Sequence, residues 1–488
     1  MDSTEIAELD AEALLALYRR KALSPVAVVA DILDRIARFE PDINAFVRVD
    51  ADRAMADARA SEARWAKGAP KGLLDGVPVT IKDLIDVEGL PTRKGSLTTP
   101  RTPASRDAPA VARMREQGAV FVGKTTMPEF GWIGACHSPL TGVTRNPWDL
   151  SRTPGGSSGG AAAAALLNLG VLHLGTDGAG SVRIPAAFTG VFGLKPSYGR
   201  VPAYPASAFN VLAHLGPMTR TVTDAALMLS VIGAPDARDT TAWNTPPPDY
   251  RIGLCDGVAN LRIAWSPRLG YVRDLDADVE AAAAKAAARF TELGAIVEEV
   301  DPGFADPTDL LRTIWYAVSA TIVDGVPAAE RAEMDPGFLR IAEAGRRYSL
   351  ADYLAAQGRR VELAQTMIDF HDRYDLLLTP QIPVPAIEAG VVTPPDGRFG
   401  EEWLAWSPYT YPFNLTQQPA ASVPCGFSQS GLPVALQIVG PPRRDDLVLR
   451  AARAYESLAP FATLAAPRGQ KRKRRPPERP PPDFDAFR

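Results

Sequence analysis

Apolar residues recur every three or four positions through the N-terminal part of the chain, which is the spacing of amphipathic helices. This pattern predicts helices over residues 11–19, 26–39 and 51–65. Ser24 and Pro25 stand before the second segment, and an N-cap residue followed by proline is typical of a helix start. We therefore expect an N-terminal helical region over residues 1–70 that packs on the core of the protein.

Beyond residue 70, short β-rich runs alternate with helical segments, as is typical of an α/β protein. Glycine is dense between residues 151 and 199, which indicates tight backbone turns in that stretch. The predicted strands lie at 76–81, 119–122, 261–265 and 295–300, and the predicted helices at 108–116, 221–232 and 279–293.

The composition is that of a soluble globular protein, since 46% of the 488 residues are hydrophobic and 23% are charged. The start of the chain lacks the layout of a secretion signal, and the most apolar run, residues 161–174, is too short to span a bilayer. A cytoplasmic protein that does not enter a membrane is therefore expected. The net charge of −4 argues against nucleic-acid binding by the body of the chain.

The C-terminal residues 467–488 differ from the body, because they hold a basic run, Lys471 to Arg475, followed by five prolines. Proline at this density does not form a helix, and we expect a flexible, solvated tail. The three cysteines of the chain lie far apart, and its four histidines include no HExxH pair. No disulfide framework and no metal site is expected from them.

Two glycine motifs match known functional patterns, but their surrounding residues favour a structural role. Residues Gly118 to Thr125 match the phosphate-binding pattern GxxxxGK[ST], but the four middle residues are Ala, Val, Phe and Val, which are typical of a buried strand. Residues Gly155 to Gly159 match the GxSxG nucleophile elbow, but a loop precedes them where that motif needs a strand. Neither a nucleotide site nor an α/β-hydrolase site is favoured.

A lysine and two serines form a more coherent set. Lys82 ends an apolar strand, where burial disfavours the charged form and lowers the pKa, so that the amine can act as a base. Asp83 would oppose this shift if it lay close, but neighbouring side chains of a strand point to opposite faces. Ser157 and Ser181 each lie in a glycine-rich segment. In the segment before Ser181, successive backbone N–H groups can form an anion-binding nest.

Together these segments resemble the amidase signature family. The resemblance runs from about residue 5 to 465 and is tightest over 76–200 and 216–226. It implies an α/β fold in which a central mixed sheet is covered by helices on both faces, and it assigns residues 71–466 to the catalytic domain. It also implies a Ser–cis-Ser–Lys triad, with Ser181 as nucleophile, Ser157 as bridging serine on a non-proline cis bond, and Lys82 as base.

The same resemblance places the oxyanion hole on the backbone of the loop before the nucleophile, with two residues bracing that loop, and it requires no cofactor or metal. One departure is that the usual Gly-Gly before the nucleophile is Ala179-Gly180 here, for which a narrower pocket is expected. The oxyanion residues would be Gly178, Ala179, Gly180 and Ser181, and the supporting residues Asp177 and Arg183.

The segment Phe130-Gly131-Trp132 resembles the substrate-facing loop of the family and suggests an apolar or aromatic substrate group. Tyr204, Phe209 and residues 311–316 are further candidates for apolar walls. Cys136, four residues on from Trp132, has no activating motif beside it and is interpreted as a packing residue.

The function implied is a serine hydrolase that cleaves carboxylic amide C–N bonds in a small molecule through an acyl-enzyme, with aryl amides, esters and carbamates (urethanes) left open as substrates. One alternative is the glutamine-amidase subunit of a tRNA-dependent amidotransferase. That branch usually carries Ser-Leu-Asp-Gln-Ile-Gly-Pro where this chain has Val211-Leu-Ala-His-Leu-Gly-Pro217. A non-catalytic binding protein is a third hypothesis, against which the intact triad argues. The oligomeric state does not follow from the sequence.

Overall fold

A computed structural model describes residues 3–464 of the chain, so the predicted basic tail, 467–488, lies outside the described residues. Strands within this range form one large sheet and one small hairpin. The strands are β1 (Phe46–Val49), β2 (Pro78–Lys82), β3 (Val120–Thr125), β4 (His137–Ser138), β5 (Gly142–Val143), β6 (Leu172–Asp177), β7 (Phe192–Lys195), β8 (His214–Thr219), β9 (Arg262–Trp265), β10 (Ile296–Glu299), β11 (Leu376–Pro380), β12 (Ala420–Phe427) and β13 (Pro433–Val439).

The large sheet has eleven strands in the order β1-β3-β2-β6-β8-β7-β12-β13-β11-β9-β10, and β4 pairs with β5 apart from it. Parallel pairs join β3 to β2, β2 to β6, β11 to β9 and β9 to β10. The remaining neighbours are antiparallel. The sheet is therefore mixed, as predicted.

Helices connect the strands and cover the sheet. They are α1 (Ser3–Glu8), α2 (Ala11–Arg19), α3 (Pro25–Ile43), α4 (Ala51–Ala66), α5 (Pro109–Glu116), α6 (Gly159–Leu166), α7 (Arg183–Thr189), α8 (Val222–Ile232), α9 (Ala277–Glu292), α10 (Thr308–Asp324), α11 (Pro336–Gly345), α12 (Leu350–His371), α13 (Pro412–Leu415) and α14 (Asp445–Leu458). Within residues 3–464, none of them combines the length and apolar character that a bilayer crossing needs.

The two large hydrophobic cores formed by the described residues lie on opposite faces of the sheet, because successive side chains of a strand alternate between faces. Leu376 and Leu378 of β11 belong to one core, with helices α8, α9 and α14. Leu377 belongs to the other core, with helices α7, α10, α11 and α12. Helices on both faces of a mixed sheet confirm the predicted fold class.

The predicted N-terminal helices correspond closely to α2, α3 and α4. The Ser24 hydroxyl accepts a hydrogen bond from the Val26 N–H at 3.0 Å and so caps α3, with Pro25 in the first turn. Leu14 of α2 and Ile32 of α3 share one core with Val79 of the sheet, and β1 pairs with β3. This segment thus packs on the sheet, while its treatment as a separate region of residues 1–70 stays a prediction.

The GxxxxGK[ST] match folds as the buried strand β3, in agreement with its apolar middle residues. Its lysine, Lys124, is buried and lies 2.9 Å from a carboxylate oxygen of Asp83, which is also buried. The β2–β3 register pairs Ile81 with Lys124, which places Lys82 on the other face from this ion pair. Lys124 therefore pairs with the Asp83 carboxylate on the face of the sheet opposite Lys82.

We expect Lys124→Met to destabilise the protein by about 3–5 kcal/mol, because it leaves the Asp83 carboxylate buried without its ionic partner. Denaturant unfolding followed by circular dichroism measures this loss. The double variant Asp83→Asn/Lys124→Met removes both charges and should recover part of it. If Lys124→Met unfolded at the wild-type midpoint, the ion pair would contribute nothing to stability.

Candidate active site

Lys82 ends strand β2, and its side chain is fully buried. Its Nζ lies within hydrogen-bonding distance of three hydroxyl oxygens: 2.6 Å from Ser157 Oγ, 2.8 Å from Thr176 Oγ1 and 3.0 Å from Ser158 Oγ. Ser157 follows a cis peptide bond to Gly156, as the family resemblance implies, and Ser158 is the N-cap residue of α6. The structure thus brings Lys82 and Ser157 into direct contact.

The hydrogen bonds of Ser158 determine how Lys82 is oriented. The Ser158 hydroxyl donates its one proton to the Thr176 carbonyl oxygen at 3.1 Å, so it can only accept from Lys82. A neutral amine has two N–H groups and one lone pair. With one N–H on Ser158 and the other on Thr176, the lone pair is left facing Ser157. This is the arrangement that a base for the Ser157 hydroxyl requires.

Burial sets the protonation state of the amine. Removal from water disfavours the ammonium form and lowers the pKa of Lys82 to about 7, although the nearby Cys136 and Asp177 oppose the shift. This agrees with the expectation that burial at the end of the strand lowers the pKa of Lys82. The Cys136 thiol is itself buried, and burial raises its pKa, which agrees with a packing residue rather than a nucleophile.

Ser181 lies after β6 at the end of the loop Gly178-Ala179-Gly180. Its carbonyl oxygen accepts the Ser158 N–H at 3.1 Å, which ties this loop to the start of α6. Ser157 and Ser181 both line one cavity. Gly180 has a φ of +119°, and a Cβ there would lie 2.6 Å from the Cβ of Thr410, so the loop needs glycine at this position.

Asp177 and Arg183 brace the loop, as the resemblance implies. The Arg183 guanidinium binds the Asp177 carboxylate with two hydrogen bonds of 3.0 Å, and both side chains are fully buried. Burial alone would raise the pKa of Asp177, but the charge and hydrogen bonds of Arg183 outweigh it and hold that pKa well below its usual range. Asn414 adds a hydrogen bond of 2.9 Å to the same carboxylate.

The predicted oxyanion hole needs one correction. The Gly180 N–H donates to Asp177 Oδ1 at 2.7 Å, and the Val182 N–H donates to Oδ2 at 3.2 Å. Gly180 therefore serves the brace and its amide is not free for an oxyanion. Within residues 3–464, the N–H groups of Gly178, Ala179 and Ser181 have no protein acceptor and remain candidates.

The cavity at Ser157 and Ser181 has a volume of about 260 Å³ and a largely apolar wall. Of the predicted wall residues, Phe130, Gly131, Tyr204, Phe209 and Trp315 line it. Phe209 stacks on Trp315 with ring centroids 4.0 Å apart. A Cβ on Gly178 would lie 3.3 Å from the Trp315 ring, so this aromatic pair adjoins the candidate oxyanion loop.

Trp132 is not brought to this cavity, contrary to the prediction. Its side chain is buried, its ring stacks on Phe338 with centroids 6.3 Å apart, and it leaves no room for a Cβ on Gly337. The adjacent Phe130 and Gly131 face the cavity because the backbone turns at them, with φ of +51° and +75°. Spacing alone could not show which of these three residues turns inward.

Sequence reasoning also missed residues that complete the site. Ser158 and Thr176 adjoin the predicted Ser157 and Asp177, so proximity was their only signal. The Arg183 guanidinium donates hydrogen bonds to three oxygens from distant parts of the chain: Asn414 Oδ1 at 2.6 Å, Gln437 Oε1 at 2.7 Å and the Thr410 carbonyl oxygen at 2.8 Å. Nothing in the local sequence around Asn414 or Gln437 indicated this role.

Comparison with known proteins agrees with this geometry. The profile of the amidase family matches residues 27–449. An acylamidase of Rhodococcus erythropolis is 38% identical over 460 residues, which cover 93% of this chain and 96% of that protein. A glutamyl-tRNA(Gln) amidotransferase subunit of Myxococcus xanthus is 39% identical over 497 residues, which cover 96% and 100%. The crystal structure of a bacterial aryl acylamidase superposes with a TM-score of 0.86 at 32% identity, covering 93% of this chain and 96% of that one.

The chain therefore belongs to the amidase signature family, as its motifs predict. Enzymes of this family hydrolyse carbon–nitrogen bonds.

The pKa of Lys82 predicts the pH dependence of activity. The amine must be neutral to accept a proton, so kcat/KM should rise through pH 7 and reach a plateau in mildly alkaline solution. At pH 6 the rate constant should be about a tenth of the plateau, because about that fraction of Lys82 is neutral there. This rise is measured by determining kcat/KM over a pH series with a slow substrate, for which the chemical step limits turnover. A flat profile from about pH 5.5 upward would contradict a neutral-lysine base.

Ser158→Ala should lower kcat/KM roughly 5- to 150-fold, because it leaves one buried N–H of Lys82 without an acceptor and frees the lone pair to turn away from Ser157. Steady-state kinetics measure the loss. Ser422→Ala, which removes another buried hydroxyl on β12, is the matched control and should keep the wild-type rate. Equal rates for Ser158→Ala and the wild type would show that Ser158 does not orient the amine.

Proposed function

We propose that this protein is an amide hydrolase that works through an acyl-enzyme on Ser181. The observation that carries the proposal is the buried amine of Lys82, with a pKa lowered to about 7 by burial and its Nζ 2.6 Å from Ser157 Oγ. Ser157 in turn lines the same cavity as Ser181. A neutral lysine, a bridging serine and a nucleophilic serine form a relay that activates a hydroxyl without histidine.

The reaction follows from these groups. Lys82 accepts the proton of Ser157, Ser157 accepts the proton of Ser181, and the Ser181 oxygen attacks the amide carbon. The N–H groups of Gly178, Ala179 and Ser181 donate hydrogen bonds to the negative oxygen that forms. The loss of one such donor typically raises the activation free energy by about 3–4 kcal/mol. The C–N bond then breaks, the proton returns through Ser157 to the departing amine, and water hydrolyses the acyl ester to a carboxylic acid and free Ser181.

The cavity wall favours substrates with an aromatic or apolar group. Phe130, Tyr204, Phe209 and Trp315 line the same cavity as Ser181. An aromatic ring of a substrate gains free energy by stacking on such side chains. The similarity to an acylamidase and to an aryl acylamidase supports the same class. Aryl amides of small carboxylic acids are therefore the proposed substrates, while esters and carbamates offer the same carbonyl to Ser181.

The second candidate function is that of an amidotransferase component, since such proteins are also similar to this chain over its length. In that branch an aspartate usually occupies the position of Ala213, and Ala213 lines the cavity here. The wall thus lacks a carboxylate where the branch has one. This observation favours a stand-alone hydrolase.

Ser181→Ala should abolish amide hydrolysis and labelling by a fluorophosphonate, because the attacking oxygen is removed. Ser157→Ala should slow hydrolysis by orders of magnitude, since the proton relay is interrupted. Ser430→Ala, at an exposed serine between β12 and β13, is the control and should label and turn over as the wild type does. Labelling that survived in Ser181→Ala but vanished in Ser157→Ala would assign the nucleophile to Ser157.

A substrate panel separates the remaining alternatives. We expect the highest kcat/KM on an acetanilide-type aryl amide, lower values on an aliphatic primary amide, and no ammonia release from glutamine. Aryl esters and aryl carbamates in the same panel test how far the acyl chemistry extends. Preferred hydrolysis of glutamine would contradict the stand-alone assignment and favour the amidotransferase function.

A further inference from the structure

Glu129 is a buried carboxylate beside the cavity that the proposed reaction does not use. It has no exposed surface, and it precedes Phe130 and Gly131, which line the cavity. Its Oε1 accepts the Ser96 hydroxyl at 2.5 Å, and its Oε2 accepts the Asp335 N–H at 2.6 Å. Both oxygens therefore act as acceptors from other segments of the chain.

These two bonds join three segments of the chain, two of which contribute the lining residues Lys94 and Phe130 to the cavity. The Ser96 segment includes Lys94, whose carbonyl oxygen accepts the Phe130 N–H at 2.8 Å. Asp335 caps α11 by accepting the Gly337 N–H at 2.7 Å. Glu129 thus fixes its own turn both to the Ser96 segment and to the start of α11.

Phe130 depends on this arrangement. Its backbone has a φ of +51°, a left-handed conformation that a bulky side chain rarely adopts unless its surroundings impose it. The Phe130 ring packs on Phe338 of α11, with centroids 5.7 Å apart. On the other side of the turn, a Cβ on Gly131 would lie 3.1 Å from Ser157 Oγ. A small rotation of this turn would move the ring that bounds the cavity.

We propose that Glu129 is a positioning residue that determines which acyl or aryl groups fit the cavity, by holding the Phe130 ring in the wall. The proposal rests on the proposed amide hydrolysis, since it concerns the selectivity of that reaction. Glu129 touches no reacting atom in this scheme and acts through Phe130.

Glu129→Gln is the informative variant because it keeps the size of the side chain. An amide has one acceptor oxygen where the carboxylate has two, so the substituted side chain cannot accept from both Ser96 and the Asp335 N–H. Its NH2 group must face one of these partners, and one of the two original bonds is lost. We expect the turn to loosen and the wall to admit larger groups. The ratio of kcat/KM for a benzoyl anilide to that for acetanilide should then rise about tenfold relative to wild type.

A double-variant comparison tests whether the effect runs through Phe130. Phe130→Ala should raise the same ratio, and adding Glu129→Gln in that background should change it no further, since the ring to be positioned is gone. Asp224→Asn is the matched control. Asp224 lies on α8, on the opposite face of the sheet, and is another buried acidic residue. Its Oδ1 accepts the Ala11 N–H at 2.9 Å. This substitution should lower the melting temperature without altering the ratio.

The outcomes are distinct. A ratio that shifts in Glu129→Gln, does not shift further in the double variant and stays constant in Asp224→Asn supports the proposal. An unchanged ratio in Glu129→Gln, or fully additive shifts in the double variant, overturns it. If Glu129→Gln does not fold, Ser96→Ala removes the hydrogen bond from Ser96 to Glu129. The same change in the kcat/KM ratio is then expected for Ser96→Ala. Absence of anilide hydrolysis by the wild type would instead contradict the proposed function.

Discussion

The buried ion pair between Asp177 and Arg183 is the interaction on which the site depends. Asp177 ends strand β6, and its carboxylate holds the Gly180 and Val182 amides as well as the guanidinium. Arg183 begins α7 and binds Asn414 and Gln437, so the pair connects the central strands, the glycine loop and the C-terminal part of the sheet. Because both charges are buried, removal of either would leave the other without compensation, which is strongly unfavourable. The loop before Ser181 is thus fixed to β6, α13 and β13.

The sheet also separates two lysines that lie on adjacent strands. Lys124 is paired with a buried carboxylate, whereas Lys82 on the other face is surrounded by neutral hydroxyls. Both lysine side chains are buried, so their different neighbours, a carboxylate for Lys124 and hydroxyls for Lys82, distinguish their protonation behaviour. An ion pair opposes the loss of charge, while hydroxyl neighbours leave the amine free to become neutral at ordinary pH. The alternation of side chains along β2 therefore keeps the charge of Asp83 on the opposite face of the sheet from the Lys82 amine.

The proposed triad and the cavity wall come from different parts of the fold. Lys82 ends β2, and Ser157 and Ser181 lie in glycine-rich loops near the centre of the sheet. Phe209 and Trp315 come from later segments and stack above the candidate oxyanion loop. Relatives with different names, an acylamidase and a component of an amidotransferase, share similarity over nearly the whole chain. The family match, over residues 27–449, covers both the segments that carry Lys82, Ser157 and Ser181 and those that form the wall.

The sequence by itself determined the α/β class and the early helices, because these depend on local periodicity and capping, while the proposed triad came from its resemblance to the amidase signature family. It also indicated that the GxxxxGK[ST] match is a strand, since its middle residues are apolar. Only the tertiary structure decided that Trp132 packs in the core, that the Gly180 amide serves Asp177, and that Ser158 orients Lys82. Asn414 and Arg183 are 231 positions apart in sequence, yet they form a hydrogen bond. Such contacts depend on how strands and loops are brought together and on where each side chain turns, which no local pattern encodes.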